Sequence, residues 1–284
     1  MTENIVITNA KELEKTKSKI AKDGFKKLHI LTDFDKTLTK TFVNDEKIPS
    51  IISVLRDGNY LTKDYAEKAH ALYNKYHPIE INPEIPLKEK KEAMYDWWKN
   101  HFDLLIKSRL NKKDIEKVVN SGKVEFRDGA LDLIKFLHKH NIPLIIMSSS
   151  GLGYESISMY LEKHKCFYNN IHIISNAFIW DKDDYAIGIK EPIIYVMNKD
   201  ETILQDFPVF KIIKNRKNVI LLGDNIEDIG MVEGFNYNNL IKIGFLNDDV
   251  NKNLPYYKQN YDILILNDSG MGYVNGLLRE LIEG

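Results

Sequence analysis

Leu31–Thr39 reads LTDFDKTLT, and its two aspartates directly follow an apolar run typical of a buried strand. If that strand ends in a turn, Asp33 and Asp35 leave the sheet edge close together. Neighbouring carboxylates repel each other, so they are retained together when a cation or a proton offsets their charge. Mg²⁺ prefers such oxygen ligands, and one carboxylate could then attack phosphorus while the other transfers a proton. The motif alone is equally compatible with an Asx-rich turn that caps a helix.

A second apolar segment, Val219–Leu222, also runs into acidic residues. Its β-branched and leucine-rich composition predicts a strand covered on both faces, and Gly223 allows a sharp turn after it. Ligands of open α/β sheets bind at the carboxyl edge of the strands. We therefore expect Asp224 to share one Mg²⁺ with Asp33. Asp228 would be either a weaker ligand or a residue that contacts the ligands without contacting the metal. The alternative is that Asp224 or the next residue caps the following helix.

A third apolar segment, Ile142–Met147, runs into Ser148–Gly153, which reads SSSGLG. Hydroxyl groups and free backbone N–H groups at the start of a helix bind phosphate, here most simply through Ser149 and Ser150. Lys199 could neutralise the bound phosphoryl group. A single serine is more often an ordinary helix N-cap, but three at one strand end favour phosphate binding.

In chain order these parts resemble the haloacid dehalogenase superfamily of aspartate-nucleophile phosphatases. Its signature is D-x-D-x-T, a Ser or Thr at a strand end, a Lys and an acidic strand end, and all four occur here in that order. From about Leu28 onward the chain is also similar to one family within it, the cytosolic pyrimidine 5′-nucleotidases. The similar segments are Lys75–Pro83, Lys88–Lys90, Met94–Trp98, Ser149–Gly153, Ile174–Asn176, Asn198–Asp200, Leu221–Asp224 and Ile243–Asp248.

The resemblance implies roles for the acidic residues. Asp33 would be the nucleophile that forms an aspartyl-phosphate, and Asp35 the acid/base that protonates the leaving nucleoside oxygen. Asp33, the backbone carbonyl of Asp35 and Asp224 would hold Mg²⁺, with Asp228 nearby.

The resemblance also implies how substrate is bound. Ser149 and Lys199 would bind phosphate, and Ser150 would contribute a backbone N–H. Glu80 would reach from an inserted cap to the base, and Trp98 could stack on that base through its π-face.

The chain departs from the family at several positions. Ser150 stands where the family usually has Ala or Gly. Asn225 stands where the family usually has Ser. His101 stands where a small polar residue is common. Because this side chain is bulkier, the identity of the preferred nucleobase stays open. Some family members prefer 7-methylguanosine phosphate, and Trp98 would suit that cationic base by cation–π attraction.

The pattern along the chain predicts an α/β fold, a Rossmann-like doubly wound parallel sheet with an inserted helical cap. Strands and helices alternate after Arg127, which is typical of a parallel sheet wrapped by helices. We expect a haloacid dehalogenase-like core at residues 1–43 and 124–284 and a cap at 44–123. The core begins with a helix over Ala10–Asp23. Later expected elements are helices at 130–140, 154–163 and 274–282, strands at 171–174, 240–243 and 262–266, and a small hairpin involving 186–189.

The expected cap is helical from Asn44 to Lys123, with no strand. Helices are predicted over 64–76 and 89–110 from apolar side chains at helical spacing. Pro78, Pro83 and Pro86 predict a loop between these helices that carries Glu80 toward the active site. Trp97 is expected in the cap core, whereas Trp98 and His101 could equally line a pocket or pack in that core.

The composition excludes several classes of protein. The 284 residues include 40 basic and 41 acidic side chains, so the net charge of −1 predicts no general attraction to nucleic acid. The chain has no apolar run of about twenty residues that could span a membrane, which excludes the cation-pumping ATPases that Asp35–Thr39 also resembles. One cysteine, Cys166, excludes an internal disulfide framework. The start of the chain lacks a signal-peptide pattern, so we expect a cytoplasmic protein.

We therefore expect a Mg²⁺-dependent phosphatase of nucleoside 5′-monophosphates, either pyrimidine nucleotides such as CMP and UMP or 7-methyl-GMP. The expected partner is this small-molecule nucleotide, with no nucleic acid and no membrane; the oligomeric state stays open, and a monomer is compatible with the sequence. Two alternatives stay open as well: a related phosphatase of another small phosphomonoester, and a catalytically silent nucleotide-binding protein.

Overall fold

The computed structural model describes residues 4–48, 50–82, 84–199, 207–233 and 235–284. Pro83 and Asp200, which belong to the segments compared above, lie outside these ranges. Within them the strands are β1 (Ile5–Ile7), β2 (Leu28–Thr32), β3 (Phe42–Val43), β4 (Glu46–Lys47), β5 (Leu144–Ser148), β6 (Ile171–Ser175), β7 (Phe178–Trp180), β8 (Ala186–Ile189), β9 (Asn218–Gly223), β10 (Asn239–Leu246) and β11 (Ile263–Leu266). The α-helices are α1 (Ala10–Asp23), α2 (Ile51–Asp57), α3 (Tyr65–Ile81), α4 (Leu87–Lys107), α5 (Lys112–Asn120), α6 (Ala130–Lys139), α7 (Gly153–Lys163), α8 (Phe210–Ile213), α9 (Val250–Asn260) and α10 (Gly272–Glu283).

Seven strands form one sheet in the order β1-β11-β10-β9-β2-β5-β6. All neighbours are parallel except β1, which pairs with β11 in the antiparallel sense. Every residue of β2, β5 and β9 is buried, as expected for central strands with apolar side chains on both faces. The doubly wound α/β fold is thus confirmed, and α1 has the predicted bounds.

The register of the central strands brings their carboxyl ends to one edge. Thr32 at the end of β2 pairs with Leu222 of β9 and with Ile146 of β5. The residues that follow these three strands therefore emerge side by side, which is the condition for a shared site.

Three elements of the core, β1, α9 and the four-residue α8, were not predicted from the sequence. β1 has only three residues and is an edge strand held by pairing with β11. α9 contains Pro255, and its apolar side chains Val250, Leu254 and Tyr257 are only partly buried, so its amphipathic pattern is weak.

The region expected to be helical without strands, which begins at Asn44, contains β4, the second strand of the short hairpin β3–β4, so that expectation was wrong. Asn44 and Asp45 between the two strands have φ of 51° and 64°. Positive φ at both central positions matches the right-handed twist of the flanking strands, and Asn and Asp tolerate it better than other non-glycine residues.

The predicted loop around Glu80 was also wrong, because α3 continues to Ile81 with Pro78 inside it. A proline in the last turns removes one helical hydrogen bond, but its φ is compatible with a helix. Packing supplies the compensation: Trp97 of α4 stacks on Tyr76 of α3, with ring centroids 5.9 Å apart and an angle of 11° between the rings. Pro86 does precede α4 as expected.

No helix within the described ranges is both long and apolar enough to span a bilayer. The small hairpin expected around Ala186–Ile189 is present as β7–β8.

Candidate active site

The three acidic side chains predicted for a metal site meet at the carboxyl edge of the sheet. The N–H of Asp33 donates to the carbonyl of Leu222, 3.0 Å away, which ties the first residue after β2 to the end of β9. Carboxylate oxygens of Asp33, Asp224 and Asp228 all lie within 4.8 Å of one another. The register of β2 and β9 brings Asp33 and Asp224 together although they are far apart in the chain.

Lys199 is the positive charge at the centre of this cluster. Its Nζ donates to Oδ1 of Asp33 at 2.8 Å and to Oδ1 of Asp228 at 2.7 Å. The three residues are 3%, 7% and 1% exposed, respectively. A buried ammonium with two carboxylates is held rigidly, because each partner would be strongly destabilised alone.

Asp228 has a further structural role. Its Oδ2 accepts from the backbone N–H groups of Asp224, at 3.1 Å, and Asn225, at 3.0 Å. Asn225 is the N-cap of a 3₁₀ helix, Ile226–Val232, and Asp228 completes its capping box. The capping role considered for this segment is therefore carried by Asn225 and Asp228, whereas the Asp224 side chain faces the cluster and accepts from Thr37 Oγ1 at 3.4 Å.

Burial and the neighbouring charges change the pKa values of the groups in this cluster. Burial raises the pKa of Asp33 well above its ordinary value, while Lys199 opposes that rise. Burial, aided by the charge of Asp228, raises the pKa of Asp224 to about 7. Burial lowers the pKa of Lys199, but the carboxylates of Asp228 and Asp33 outweigh it and raise the value on balance. One ammonium leaves excess negative charge among three carboxylates, and their oxygen-only donor set suits a hard divalent cation.

Asp35 lies beside this cluster and is tied to the helices inserted after the first strand. Its Oδ1 accepts from the N–H of Ile51, the first residue of α2, at 3.4 Å. Burial raises the pKa of Asp35, which favours a protonated carboxyl group able to donate.

The loop after β5 presents one serine to the site and turns another inward. Ser149 lines the cavity described below. The Ser150 hydroxyl is 3.1 Å from Ser156 Oγ and accepts from the N–H of Leu152 at 3.3 Å. Ser150 can therefore serve a ligand through its backbone rather than its hydroxyl.

His101 of α4 contacts this loop directly. Its Nε2 lies 3.1 Å from the carbonyl oxygen of Gly151, which can only accept, so Nε2 carries the proton. Burial lowers the pKa of His101 to about 4, so the imidazole is neutral near pH 7. A Cβ on Gly151 would lie 2.9 Å from His101 Nε2 and 2.9 Å from Ile52 Cγ1. Glycine thus permits the inserted helices to approach the loop.

A cavity of about 590 Å³ lies between the sheet edge and the inserted helices. Nine of the ten predicted site residues line it, the exception being Ser150. They are Asp33, Asp35, Glu80, Trp98, His101, Ser149, Lys199, Asp224 and Asp228.

One wall of the cavity is a row of side chains on α3. His77 Nδ1 lies 3.0 Å from Glu80 Oε2, and the His77 ring stacks on Tyr73 at 4.7 Å between centroids. Trp97 packs against the hydrophobic core, as expected, and it also lines the cavity. A residue on a helix can face both the core and a cavity, because the two surfaces are adjacent on one broad stripe.

Other lining residues were not predicted, among them Arg56, Tyr65, Tyr73 and His77. Tyr73 and His77 have a sequence signal, since they precede Glu80 at helical spacing. Arg56 has none, because nothing in its neighbourhood distinguishes it from an exposed charge.

Comparisons with known proteins agree with this geometry. The family model described as pyrimidine 5′-nucleotidase (UMPH-1) matches residues 36–282, a span that begins directly after Asp35. A 7-methylguanosine phosphate-specific 5′-nucleotidase of Mus musculus is 34% identical over 264 residues, covering 93% of this chain and 87% of that protein. A putative cytosolic 5′-nucleotidase 3 of Caenorhabditis elegans is 33% identical over 274 residues, covering 94% and 72%.

Solved structures show the same architecture. The crystal structure of cytosolic 5′-nucleotidase IIIB bound to cytidine matches with a TM-score of 0.89 and 25% identity, covering 98% of this chain and 94% of that one. A phosphoserine phosphatase solved as a phospho-aspartyl intermediate analogue matches with a TM-score of 0.50 and 17% identity, covering 87% and 96%. The second match shows a shared fold.

Proposed function

The chain belongs to the pyrimidine 5′-nucleotidase (UMPH-1) family and is a 5′-nucleotidase of the haloacid dehalogenase superfamily; on that premise we propose a Mg²⁺-dependent reaction through an aspartyl-phosphate. The observation that supports it most is the Lys199 ammonium between Asp33 and Asp228 at the floor of a cavity that also contains Asp35. The proposal is supported by this grouping of a carboxylate that would act as the nucleophile, a counter-cation and a second carboxyl group.

In the first step an oxygen of Asp33 attacks phosphorus and the bond to the 5′-oxygen breaks. Asp35 gives its proton to that oxygen, and the nucleoside leaves. In the second step Asp35 takes a proton from water, which attacks phosphorus and releases inorganic phosphate and the free Asp33 carboxylate. Lys199 offsets charge on the phosphoryl oxygens in both steps.

Mg²⁺ held by Asp33, the backbone carbonyl of Asp35 and Asp224 would supply further charge neutralisation. Asp228 contributes more weakly, because both of its oxygens already accept hydrogen bonds. Ser149 and the backbone of Ser150 complete the phosphate site.

The proposed domain division is a core of residues 1–43 and 124–284 with a cap of 44–123. Glu80, Trp98 and His101 on the cap side of the cavity would bind the nucleobase, which closure over the core shields from water. The Mus musculus relative is named as specific for 7-methylguanosine phosphate, and the matching crystal structure is bound to cytidine, so both kinds of base are candidates. We place the reaction in the cytoplasm by analogy with the relatives named as cytosolic.

The test is phosphate release with and without Mg²⁺ from CMP, UMP, AMP, GMP, 7-methyl-GMP, phosphoserine and a sugar phosphate. Asp33→Asn is the blank. Mg²⁺-dependent release from a nucleotide supports the proposal. A preference for phosphoserine or the sugar phosphate would retain the mechanism and reject the base site. No release from any ester would favour a silent nucleotide-binding protein.

A further inference from the structure

We propose that Arg56 selects the nucleobase: its guanidinium donates to an exocyclic oxygen of a neutral base and disfavours the cationic 7-methylguanine. The inference rests on the proposed nucleotidase function and deepens it by choosing between the two kinds of base left open above.

Arg56 is a fixed cation on the cavity wall. It lies in the last turn of α2 and lines the cavity. Its Nη2 donates to the buried Ser53 hydroxyl at 3.1 Å, and its Nε lies 3.6 Å from Asp57 Oδ1. We find no acceptor for Nη1 in the described part of the chain. The side chain is thus oriented by the protein while part of its donor capacity stays available to a ligand.

Arg56 also covers one of the aromatic rings that line the cavity. Its guanidinium carbon lies 5.1 Å from the centroid of the Tyr73 ring, within the range of cation–π attraction. A second cation placed in the same cavity would meet a like charge in surroundings of low dielectric, where repulsion is stronger than in water. A neutral base meets no such opposition.

The wall places a donor and an acceptor at opposite ends. Arg56 adjoins Tyr73, whereas Glu80 is seven residues further along the same helix, a rise of about 10.5 Å. His77 stands between them, stacked on Tyr73 and paired with Glu80. A base lying along this row would present an N–H group to Glu80 and an oxygen to Arg56. Cytosine, uracil and guanine each carry both kinds of group while uncharged.

The chemistry separates two contributions of Arg56. Its charge opposes a cationic base, and its planar donor group binds a base oxygen; lysine retains the first and loses the geometry of the second. A site built around a hydrogen bond discriminates strongly against ligands that leave it unpaired. The ratio of 7-methyl-GMP to GMP isolates the charge, because the two bases differ by one methyl group and its positive charge.

The experiment compares kcat/KM for CMP, GMP, 7-methyl-GMP and ribose 5-phosphate in the wild type, Arg56→Met and Arg56→Lys. Arg279→Met is the matched control, since Arg279 is exposed on α10. We expect the wild type to prefer CMP to 7-methyl-GMP. Arg56→Met should lower kcat/KM for CMP at least tenfold and raise the 7-methyl-GMP to GMP ratio at least tenfold, with ribose 5-phosphate changed less than threefold. Arg56→Lys should lower kcat/KM for CMP but leave the 7-methyl-GMP to GMP ratio unchanged.

A wild type that prefers 7-methyl-GMP to CMP overturns the inference. So does an Arg56→Met variant in which kcat/KM falls equally for CMP and for 7-methyl-GMP. Loss of ribose 5-phosphate turnover to the same extent would assign Arg56 to phosphate or ribose and also overturn it. If Arg56→Met fails to fold by circular dichroism, Arg56→Lys decides: an unchanged CMP efficiency overturns the base-oxygen contact. A wild type that releases phosphate from no nucleotide rejects the proposed function itself, a result distinct from the others.

Discussion

Lys199 and Asp33 are 166 residues apart in the chain, yet the ammonium nitrogen of one lies 2.8 Å from a carboxylate oxygen of the other. Both side chains are buried, and Asp228 completes the group at 2.7 Å. The same ion pair therefore stabilises the fold and orders the proposed nucleophile.

Lys199→Met should destabilise the metal-free protein. Removing one member of a buried ion pair leaves uncompensated charge and costs about 3–5 kcal/mol. Urea denaturation in EDTA would measure this loss, with Lys258→Met, an exposed lysine on α9, as control. Mg²⁺ should restore more stability to Lys199→Met than to the wild type. Equal stability of the two proteins in EDTA would show that the pair is not structural.

The stability of the metal-free protein should fall as the pH rises from about 4 to about 7 through Asp224. Its folded pKa is about 7 and its ordinary value 3.8, so the folded state binds more protons across this interval. The stabilisation is complete below pH 4 and lost above pH 7. The measurement is the difference in unfolding free energy between the wild type and Asp224→Asn as a function of pH. Saturating Mg²⁺ should abolish this pH dependence; its persistence would remove Asp224 from the metal site.

Two acidic residues of the site could be predicted because each of them follows the end of an apolar strand. Asp33 and Asp224 follow β2 and β9, and parallel pairing brings such positions together whatever the sequence between them. The fold class follows from the same alternation of strands and helices. Neither inference needs side-chain detail.

The cap side could not be predicted to the same extent. Residues that face a cavity and residues that face the core share one helical period. The sequence therefore indicates that Trp97 packs in the core but not that it also lines the cavity, and it does not single out Arg56. The β3–β4 strands have two residues each, too few to show alternation. Pro78 predicts a helix end from the local sequence. The stacking of Tyr76 on Trp97 offsets the cost of a proline within the helix, but this contact joins two helices and has no local sequence signal.

Asp35→Asn should slow turnover according to the leaving group. An asparagine cannot protonate the 5′-oxygen of a nucleoside, a poor leaving group, whereas p-nitrophenolate leaves without a proton. General acid catalysis contributes about 10²–10⁴-fold, so the first-turnover rate for CMP should fall at least a hundredfold more than the first-turnover rate for p-nitrophenyl phosphate. Rapid-quench kinetics would resolve that first turnover. Equal losses for the two esters would exclude Asp35 as the acid.

Glu80→Ala should raise KM for nucleotides at least tenfold and leave KM for p-nitrophenyl phosphate nearly unchanged. The reason is that Glu80, paired with His77 at 3.0 Å, lies on the cavity wall proposed to bind the base. Glu67→Ala, an exposed glutamate on the same helix, is the control. Equal changes for both substrates would remove Glu80 from the base site.

Gly151→Ala should impair catalysis by separating the inserted helices from the phosphate loop. The added methyl group would lie 2.9 Å from both His101 Nε2 and Ile52 Cγ1, too close for ordinary contact. Ile52 is next to Ile51, whose N–H holds Asp35, so the displacement should also reach the proposed acid. We expect kcat/KM for CMP to fall at least tenfold.

Gly276→Ala provides the matched control for that substitution. Gly276 lies within α10, where an added Cβ meets no atom within 4 Å, and alanine in a helix interior is favoured over glycine by about 0.5–1 kcal/mol. This variant should be slightly more stable in thermal denaturation and fully active. Combining Gly151→Ala with His101→Ala tests the cause, since loss of the imidazole removes one of the two close contacts. If Gly151→Ala lowers kcat/KM as much in the His101→Ala background as in the wild type, the contact between His101 and Gly151 does not set the position of the loop.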